Sequence, residues 1–534
     1  MNLLRACWLA IFIGCVFASA ATDTSTTLRF RLTGDPATLD WNLAHSSLDN
    51  YFIMNLMEGL VELGSDLKPR PALAEKWEIS EDGKTYRFFL KPNIKWSDGK
   101  PLHAQEFVDS WLRLLSPKTK SNYASFLFGI ENAQRFHEGK LKDAAQVGIK
   151  ALDANRLEVK LARPVPYFLH MPSFWVTFPI RLDLIKKHGS NWTKPKKLVT
   201  LGPYLLDAWE KGKALRLKKN PGYHAPLAAG TPDVTEIVFL RDDEKAREQF
   251  RKNETNIFLD ATTEDLLNTK QAVRPATIKQ YTYLSTYYLG FNLKHPMGKN
   301  PHLRKAFYAA IHRGQIPAVL QGGQIAATGW IPPGMLGHRS APSFKESLFE
   351  ARAALVKAGY PEGRGLGKVP VWIENFDGAK KLSAHLIQFF HDQIGVEIET
   401  SFGTTAEYQA AIRQGKVAVF VGHWGADFPD PANFFEVFVK GSGNNHTGWS
   451  NDKYDALVEK AGSIASEEER ARLYQEAEAI LTDQENVVLP LFYRKNSLLL
   501  GPAIESMEIS PLNYLFLKTV AMKQSGEQPK GAHQ

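Results

Sequence analysis

A chain of 534 residues is too long for one hydrophobic core, and two or three domains are expected when each usually holds about 100–200 residues. Its 44% hydrophobic and 11% aromatic content is that of an ordinary folded soluble protein, and a formal charge of +8 is mild for this length. Lysines such as Lys194, Lys196 and Lys197 are scattered, without the ordered alternation of basic and aromatic residues that single-strand binders use, so no nucleic-acid partner is expected.

Residues 1–20 read as an export signal. Arg5 precedes an apolar run over 7–17, and Ala18, Ser19 and Ala20 supply small residues at a cleavage site. The run is shorter than the roughly twenty residues a membrane span needs. Cleavage after Ala20 removes Arg5 and no acid, taking the formal charge from +8 to +7. It also removes Cys7 and Cys15, leaving the mature chain without disulfides, thiolate metal sites or a cysteine nucleophile. Cys15 offers the alternative of a lipid anchor. Apolar residues continue past it, however, and Phe12 stands where such sites usually carry leucine, so the soluble product is expected.

Beyond the signal, Leu28, Phe30 and Leu32 alternate with Arg29 and Arg31, the period of a half-buried strand. Tyr86, Phe88 and Leu90 alternate likewise, as do Leu157, Val159 and Leu161. A helix is predicted over 301–311, started by Asn300, and another over 344–358 before Gly359. Leu382, Leu386, Phe389 and Phe390 give helical spacing across 381–393, Gly395 offers a left-handed stop, and 396–399 resumes as a strand. Ser466 with Glu469 forms a capping-box pattern for a helix carrying Leu473, Ala477 and Ile480, followed by a strand at 487–489. Interleaved helices and strands point to α/β layers.

Enzyme signatures are missing. There is no Gly-x-Ser-x-Gly elbow and no phosphate loop ending Gly-Lys-Ser or Gly-Lys-Thr. His137-Glu138 lacks the second histidine of a zinc-protease helix, and His385 and His391 lie six apart, off one helical stripe. Gly363, Gly365 and Gly367 follow a helix and precede a strand, the wrong order for a dinucleotide cradle. The stretch His423-Trp424-Gly425-Ala426-Asp427-Phe428-Pro429-Asp430-Pro431 stands out instead. An aromatic wall beside one fixed carboxylate suits a small cationic organic group. The alternative is a structural turn in which Asp427 or Asp430 bonds local amides and Trp424 packs in the core.

Several separated segments carry a resemblance. They are Pro71-Ala72-Leu73-Ala74-Glu75-Lys76-Trp77 with Ser80 and Asp82-Gly83-Lys84, then Phe89-Leu90-Lys91 running to Lys95-Trp96-Ser97-Asp98-Gly99-Lys100-Pro101-Leu102. Gln105-Glu106-Phe107-Val108, Ser110-Trp111, Met57-Glu58-Gly59-Leu60, Leu201-Gly202-Pro203-Tyr204, Lys219-Asn220-Pro221 and Tyr223 complete them. In this order and spacing they resemble the bacterial extracellular solute-binding proteins of family 5, nearest the oligopeptide- and murein-peptide-binding branch of ABC importer receptors. The resemblance implies an α/β, two-lobed periplasmic binding protein (type II, cluster C) with an extra inserted domain. Lobe I would comprise residues 21–57, 181–281 and 497–534, the inserted domain 58–180, and lobe II 282–496, with hinges near Tyr283 and Asn496. It also implies a periplasmic monomer without cofactor or catalysis, which binds oligopeptides by their α-amine and backbone and delivers them to an ABC permease in the inner membrane.

The same resemblance assigns residues. Asp427 matches the acid that pairs with the peptide's α-ammonium, and Trp424, Gly425 and Ala426 belong to the segment whose backbone pairs with the peptide. Ala44, His45 and Ser46 fall where the opposite lobe supplies a second backbone edge, and Tyr123, Tyr283 and Tyr288 match cleft tyrosines. The departures are informative too. Two positions that are basic in relatives, where they hold the peptide's α-carboxylate, are Ile412 and Val421 here, with Arg413 a partial substitute. A tryptophan near Thr405 and an acid near Gly290 are also missing. The amino end of a peptide is expected to be recognised; a different carboxyl end, or a non-peptide solute such as a metal chelate, opine or sugar, is the alternative within the fold. A secreted hydrolase is the alternative outside it.

Overall fold

The computed structural model describes residues 26–271, 276–342, 345–403 and 405–523. The export signal at 1–20, with Cys7 and Cys15, lies outside the described residues. Among the described residues no helix is long and apolar enough to cross a membrane.

Two long antiparallel strands, Thr277–Phe291 and Val488–Leu500, run through the middle of the molecule. On one side Thr277–Phe291 pairs with Val419–Gly425, beyond which Val369–Glu374 and Ile398–Gly403 continue the sheet in parallel. Helices Pro301–Ala310, Leu348–Lys357 and Ala379–Ile394 cover this half, burying Phe307, Leu355, Leu386 and Phe390 against Val371 and Val421. On the other side the far end of Val488–Leu500 pairs with Ile257–Phe258, which leads to Thr27–Leu32, Val234–Phe239, Ala214–Lys219 and Tyr204–Glu210. A separate antiparallel sheet is built from Ala74–Ile79, Thr85–Leu90, Arg156–Lys160 and Ile149–Ala151. Helix Ala104–Leu115 buries Phe107, Trp111 and Leu114 beneath it.

Local sequence explains most of these elements. Leu28 and Phe30 point inward while Arg29 is exposed, as alternation requires; Arg31 departs from the pattern, buried and paired with Asp243. Gly395 ends its helix in the left-handed region at φ 69°, accepting what a side chain disfavours there. The helix predicted over 344–358 begins at Leu348, because the Ser347 hydroxyl accepts from the Glu350 amide and caps it; Phe344 lies outside the described residues. Ser466 caps the helix Glu467–Glu478 in the same manner, and that helix widens into a π-turn over Ala479–Gln484. The expected strand at 396–399 starts at Ile398, since the Val396 amide still bonds the carbonyl of Phe390 in the helix end.

The pairing of the two long strands is regular from Thr277 opposite Leu500 to Thr282 opposite Lys495, then jumps to Thr286 opposite Tyr493. Such a break bends a strand and re-aims its side chains. We propose the domain divisions at 57/58, 180/181, 281/282 and 496/497, with this break as the hinge. One carboxylate then clasps the two lobes: Asp377 Oδ2 accepts from the Thr263 amide at 3.1 Å and from its hydroxyl at 3.3 Å. Replacing it by alanine (Asp377→Ala) is expected to open the ligand-free protein and raise its radius of gyration in small-angle scattering. An unchanged value would remove Asp377 as a clasp.

Candidate functional site

The loop after strand Val419–Gly425 is fixed by two side chains with opposite tasks. Pro429 and Pro431 stop the strand from continuing, and the chain re-enters a helix at Ala432–Phe435. Asp430 is buried, accepts from the Ala432 amide at 2.9 Å and takes two bonds from the single Nη2 nitrogen of Arg470, at 2.7 and 2.8 Å. It is structural. Asn433, one turn on, accepts from the Trp424 indole and from the Asp427 amide, each at 3.1 Å, and so locks the indole and the acid's backbone together.

Asp427 is left facing polar hydroxyls and no cation. Tyr123 Oη donates to its Oδ1 at 3.4 Å, and Tyr283 and Tyr514 lie within electrostatic reach. Among the described residues no ion pair engages it. Burial pushes its carboxyl up to about 6, against the pull of hydrogen bonds from Asn433 and Tyr123. Burial likewise raises the Tyr283 hydroxyl to about 12. Aromatic rings wall the acid: Tyr123 meets Phe174 at 5.3 Å and Trp175 at 5.7 Å, and Trp175 meets Tyr514 edge-on at 6.2 Å. Across the same gap Phe428 stacks on Tyr167 at 5.4 Å, and the Tyr167 hydroxyl donates to Glu436 at 3.1 Å.

The backbone beside the acid is half open. The Ala426 amide bonds the carbonyl of Leu284 at 2.8 Å, continuing the pairing of Gly425 with Ser285 and Trp424 with Thr286. On the opposite edge, pairing with Val369–Glu374 ends at Val421 among the described residues, which leaves residues 422–425 with one free strand edge. A side chain at Gly425 would meet the Tyr283 hydroxyl at 2.2 Å, so glycine is what lets this tyrosine lie against the strand.

The structure thus brings Asp427, Trp424, Gly425, Ala426, Tyr123 and Tyr283 together. It separates the others. Tyr288 is 4% exposed and packs edge-on against Trp330, Phe420 and Phe438, so it is a core tyrosine: it follows the register break and points into the body of its lobe. Ala44, His45 and Ser46 do not offer a free edge. The Ala44 carbonyl takes the Trp175 indole at 3.2 Å, and the amides of His45 and Ser46 both go to Asp49 in the capping box of helix Ser47–Leu56. Arg413 is exposed at the end of helix Thr405–Arg413; with burial the larger cause, its charge helps lower the His446 imidazole, and it reaches none of the cleft tyrosines. Ile412 and Val421 are buried core residues. Sequence reasoning missed Asn433, Trp175 and Tyr514, whose only signal is their residue type. It also missed Arg494, marked by the polar break Arg494-Lys495-Asn496 inside an otherwise apolar strand.

Among the described residues no three histidines, cysteines or acids gather in a way that could hold a metal ion. An open cleft lies beside the register break, lined by Asp260 and Thr263 on one side of the proposed division and by Tyr287, Phe376 and Asp377 on the other, with Arg494 in its wall.

The family model for "Bacterial extracellular solute-binding proteins, family 5 Middle" matches residues 68–446. The chain belongs to this family. Its relatives include the "Probable deoxycholate-binding periplasmic protein YgiS" of Escherichia coli K12, 30% identical over 505 residues that cover 93% of each chain. The periplasmic oligopeptide-binding protein OppA of Salmonella typhimurium is 29% identical over 476 residues, covering 87% of each. Among solved structures, Haemophilus influenzae OppA in complex with the peptide RPPGFSPFR superposes with a TM-score of 0.78 at 24% identity, covering 94% of this chain and 99% of that one. The Escherichia coli murein tripeptide binding protein MppA gives 0.78 at 24% identity, covering 93% and 98%. The fold of this family-5 chain is therefore the two-lobed, type II binding-protein fold.

Because Arg470 is buried with Asp430 as its carboxylate partner, Asp430→Ala would strand a buried cation. The expected loss is about 3–5 kcal/mol in denaturant unfolding of the lobe that carries it. A loss below about 1 kcal/mol would mean that the pair does not hold the loop.

Proposed function

We propose that this protein is the periplasmic substrate-binding component of an ABC importer and that it takes oligopeptides by their α-ammonium group in the cleft between the lobes. The observation that carries this reading is Asp427, a carboxylate enclosed by Tyr123, Tyr283 and Tyr514 and pushed up to about 6 without a cationic partner among the described residues. A half-buried acid in this state gains from any cation that reaches it. A charge-assisted bond of this kind contributes about 1.5–3 kcal/mol net. The free backbone edge at 422–425 supports an extended peptide added as a strand, which engages main chain and ignores side-chain identity. Closure about the break at Thr282–Thr286 would present the loaded form to a membrane permease.

A second reading is an amphipathic non-peptide solute. It is favoured by the likeness to a relative described as a probable deoxycholate-binding protein.

Titration calorimetry with tri-alanine and N-acetyl-tri-alanine separates the two, alongside mass spectrometry of whatever co-purifies. The free amine is expected to bind, the acetylated peptide to fail, and Asp427→Asn to lose affinity by about 100-fold or more, as breaking a buried pair does. Equal binding of both peptides, or an unaffected Asp427→Asn variant, would defeat the proposal.

The pH dependence has a definite sign. Protonation of Asp427 below about 6 removes the ammonium's partner, so affinity should weaken from pH 7 to pH 5, by about tenfold per unit once below 6. The ligand-free fold should respond in the opposite direction. A carboxyl raised above its unfolded value makes the native state bind the extra proton, so its contribution to stability improves as pH falls from 6 toward 4.

A further inference from the structure

The large sheet carries a cation that forms no ion pair among the described residues. Arg181, Arg304, Arg313 and Arg470, each almost wholly buried, pair with Asp98, Glu485, Glu346 and Asp430 respectively. Arg494 breaks that rule. It stands at the register break of strand Val488–Leu500, in the wall of the cleft described above, and among the described residues no carboxylate forms an ion pair with it. Its side-chain hydrogen bond goes to the Tyr287 hydroxyl. Burial works against its charge, and Tyr287, Asp260, Tyr283 and Tyr281 more than offset that pull. Arg494 lines this cleft, and the acceptor that matches a guanidinium best is a carboxylate bound through two parallel bonds.

Tyr283 connects this cation to the acid already described. Its hydroxyl feels Arg494 and Asp427 with opposite signs, so the two charges flank one side chain. The geometry points to Arg494 as a specificity-determining residue that receives the carboxylate of the ligand, with Asp427 receiving the ammonium where the ligand has one. Resting on the reading of Asp427 given above, the preferred peptide is a short zwitterion. The carboxylate chemistry is shared by two sources, the α-carboxylate of a short peptide and the side-chain acid of a steroid such as deoxycholate. The competing internal partner is Asp260, which lines the same cleft from the other lobe.

The test uses the full mature chain and three probes: tri-alanine, tri-alaninamide and deoxycholate. The wild type is expected to prefer tri-alanine over its amide by at least tenfold. Arg494→Gln should erase that preference while leaving amide affinity unchanged, and Arg494→Lys should restore part of it. Should deoxycholate bind with the same dependence on Arg494 while peptides fail, the carboxylate site stands and the ammonium reading of Asp427 falls. Preference for the acid that survives in Arg494→Gln overturns the proposal. So does an equal loss for acid and amide that Asp260→Asn reproduces, since that pattern marks an internal ion pair closing the lobes. If neither acid binds, the co-purified ligands decide: a pool without carboxylates refutes the assignment, and an acid pool that is depleted in Arg494→Gln supports it.

Discussion

The molecule depends on the pairing of Thr277–Phe291 with Val488–Leu500. Both strands belong to the two halves of the large sheet at once, so their hydrogen bonds hold each half in place and fix how the halves face each other. The ladder is interrupted between Thr282 and Thr286, and that is where Tyr283 leans on Gly425 and Arg494 enters the cleft. The place where the sheet can bend is therefore also the place where charged and aromatic groups converge. On the proposed hinge, a ligand touching Tyr283 or Arg494 would act on the lever itself, so that a small contact free energy could select one lobe arrangement over another.

The loop beyond Gly425 shows how one residue type serves two ends. Asp427 and Asp430 are three residues apart in the same proline-bounded turn. Asp430 has an arginine nitrogen bonded to both of its oxygens and a backbone amide, so its charge is balanced inside the fold. Asp427 has tyrosine and asparagine bonds that orient it without balancing it, and its proton affinity rises accordingly. Arg494 repeats the contrast on the basic side, set against four buried arginines that each have an acid. Buried charge balanced from within serves the scaffold, whereas the half-buried charges of Asp427 and Arg494 are the ones proposed to await a ligand.

Local pattern made much of the scaffold legible. Alternation located Thr27–Leu32, Thr85–Leu90 and Arg156–Lys160, and a helical stripe with a glycine stop located Ala379–Ile394. These depend on neighbours a few residues apart, and the sequence displays such neighbours directly. The convergence of Asp427, Tyr123 and Tyr283 came from family resemblance, because residues some three hundred positions apart leave no periodic trace. The same resemblance also named residues whose local surroundings in the structure are of another kind. Tyr288 differs from Tyr287 only in the face of the strand it occupies, His45 and Ser46 spend their amides on a helix cap, and Arg413 ends its helix in solvent. Asn433 escaped notice because its work is to hold Trp424 and Asp427 still, and positioning residues carry no motif of their own.

The path of the chain through the large sheet sets an order of assembly. Strand Thr27–Leu32 is made first, yet its flanking strands are Val234–Phe239 and Ile257–Phe258, and the latter is completed only by Leu499 and Leu500. Residues 74–160, by contrast, close their own antiparallel sheet from segments near one another. Contacts of such long sequence separation make folding slow, while an uncovered strand edge invites pairing with another chain. A nascent or truncated chain ending short of residue 499 holds a finished small sheet beside an unsealed large one, and the edge at Ile257–Phe258 stays open to misassembly until Val488–Leu500 is in place.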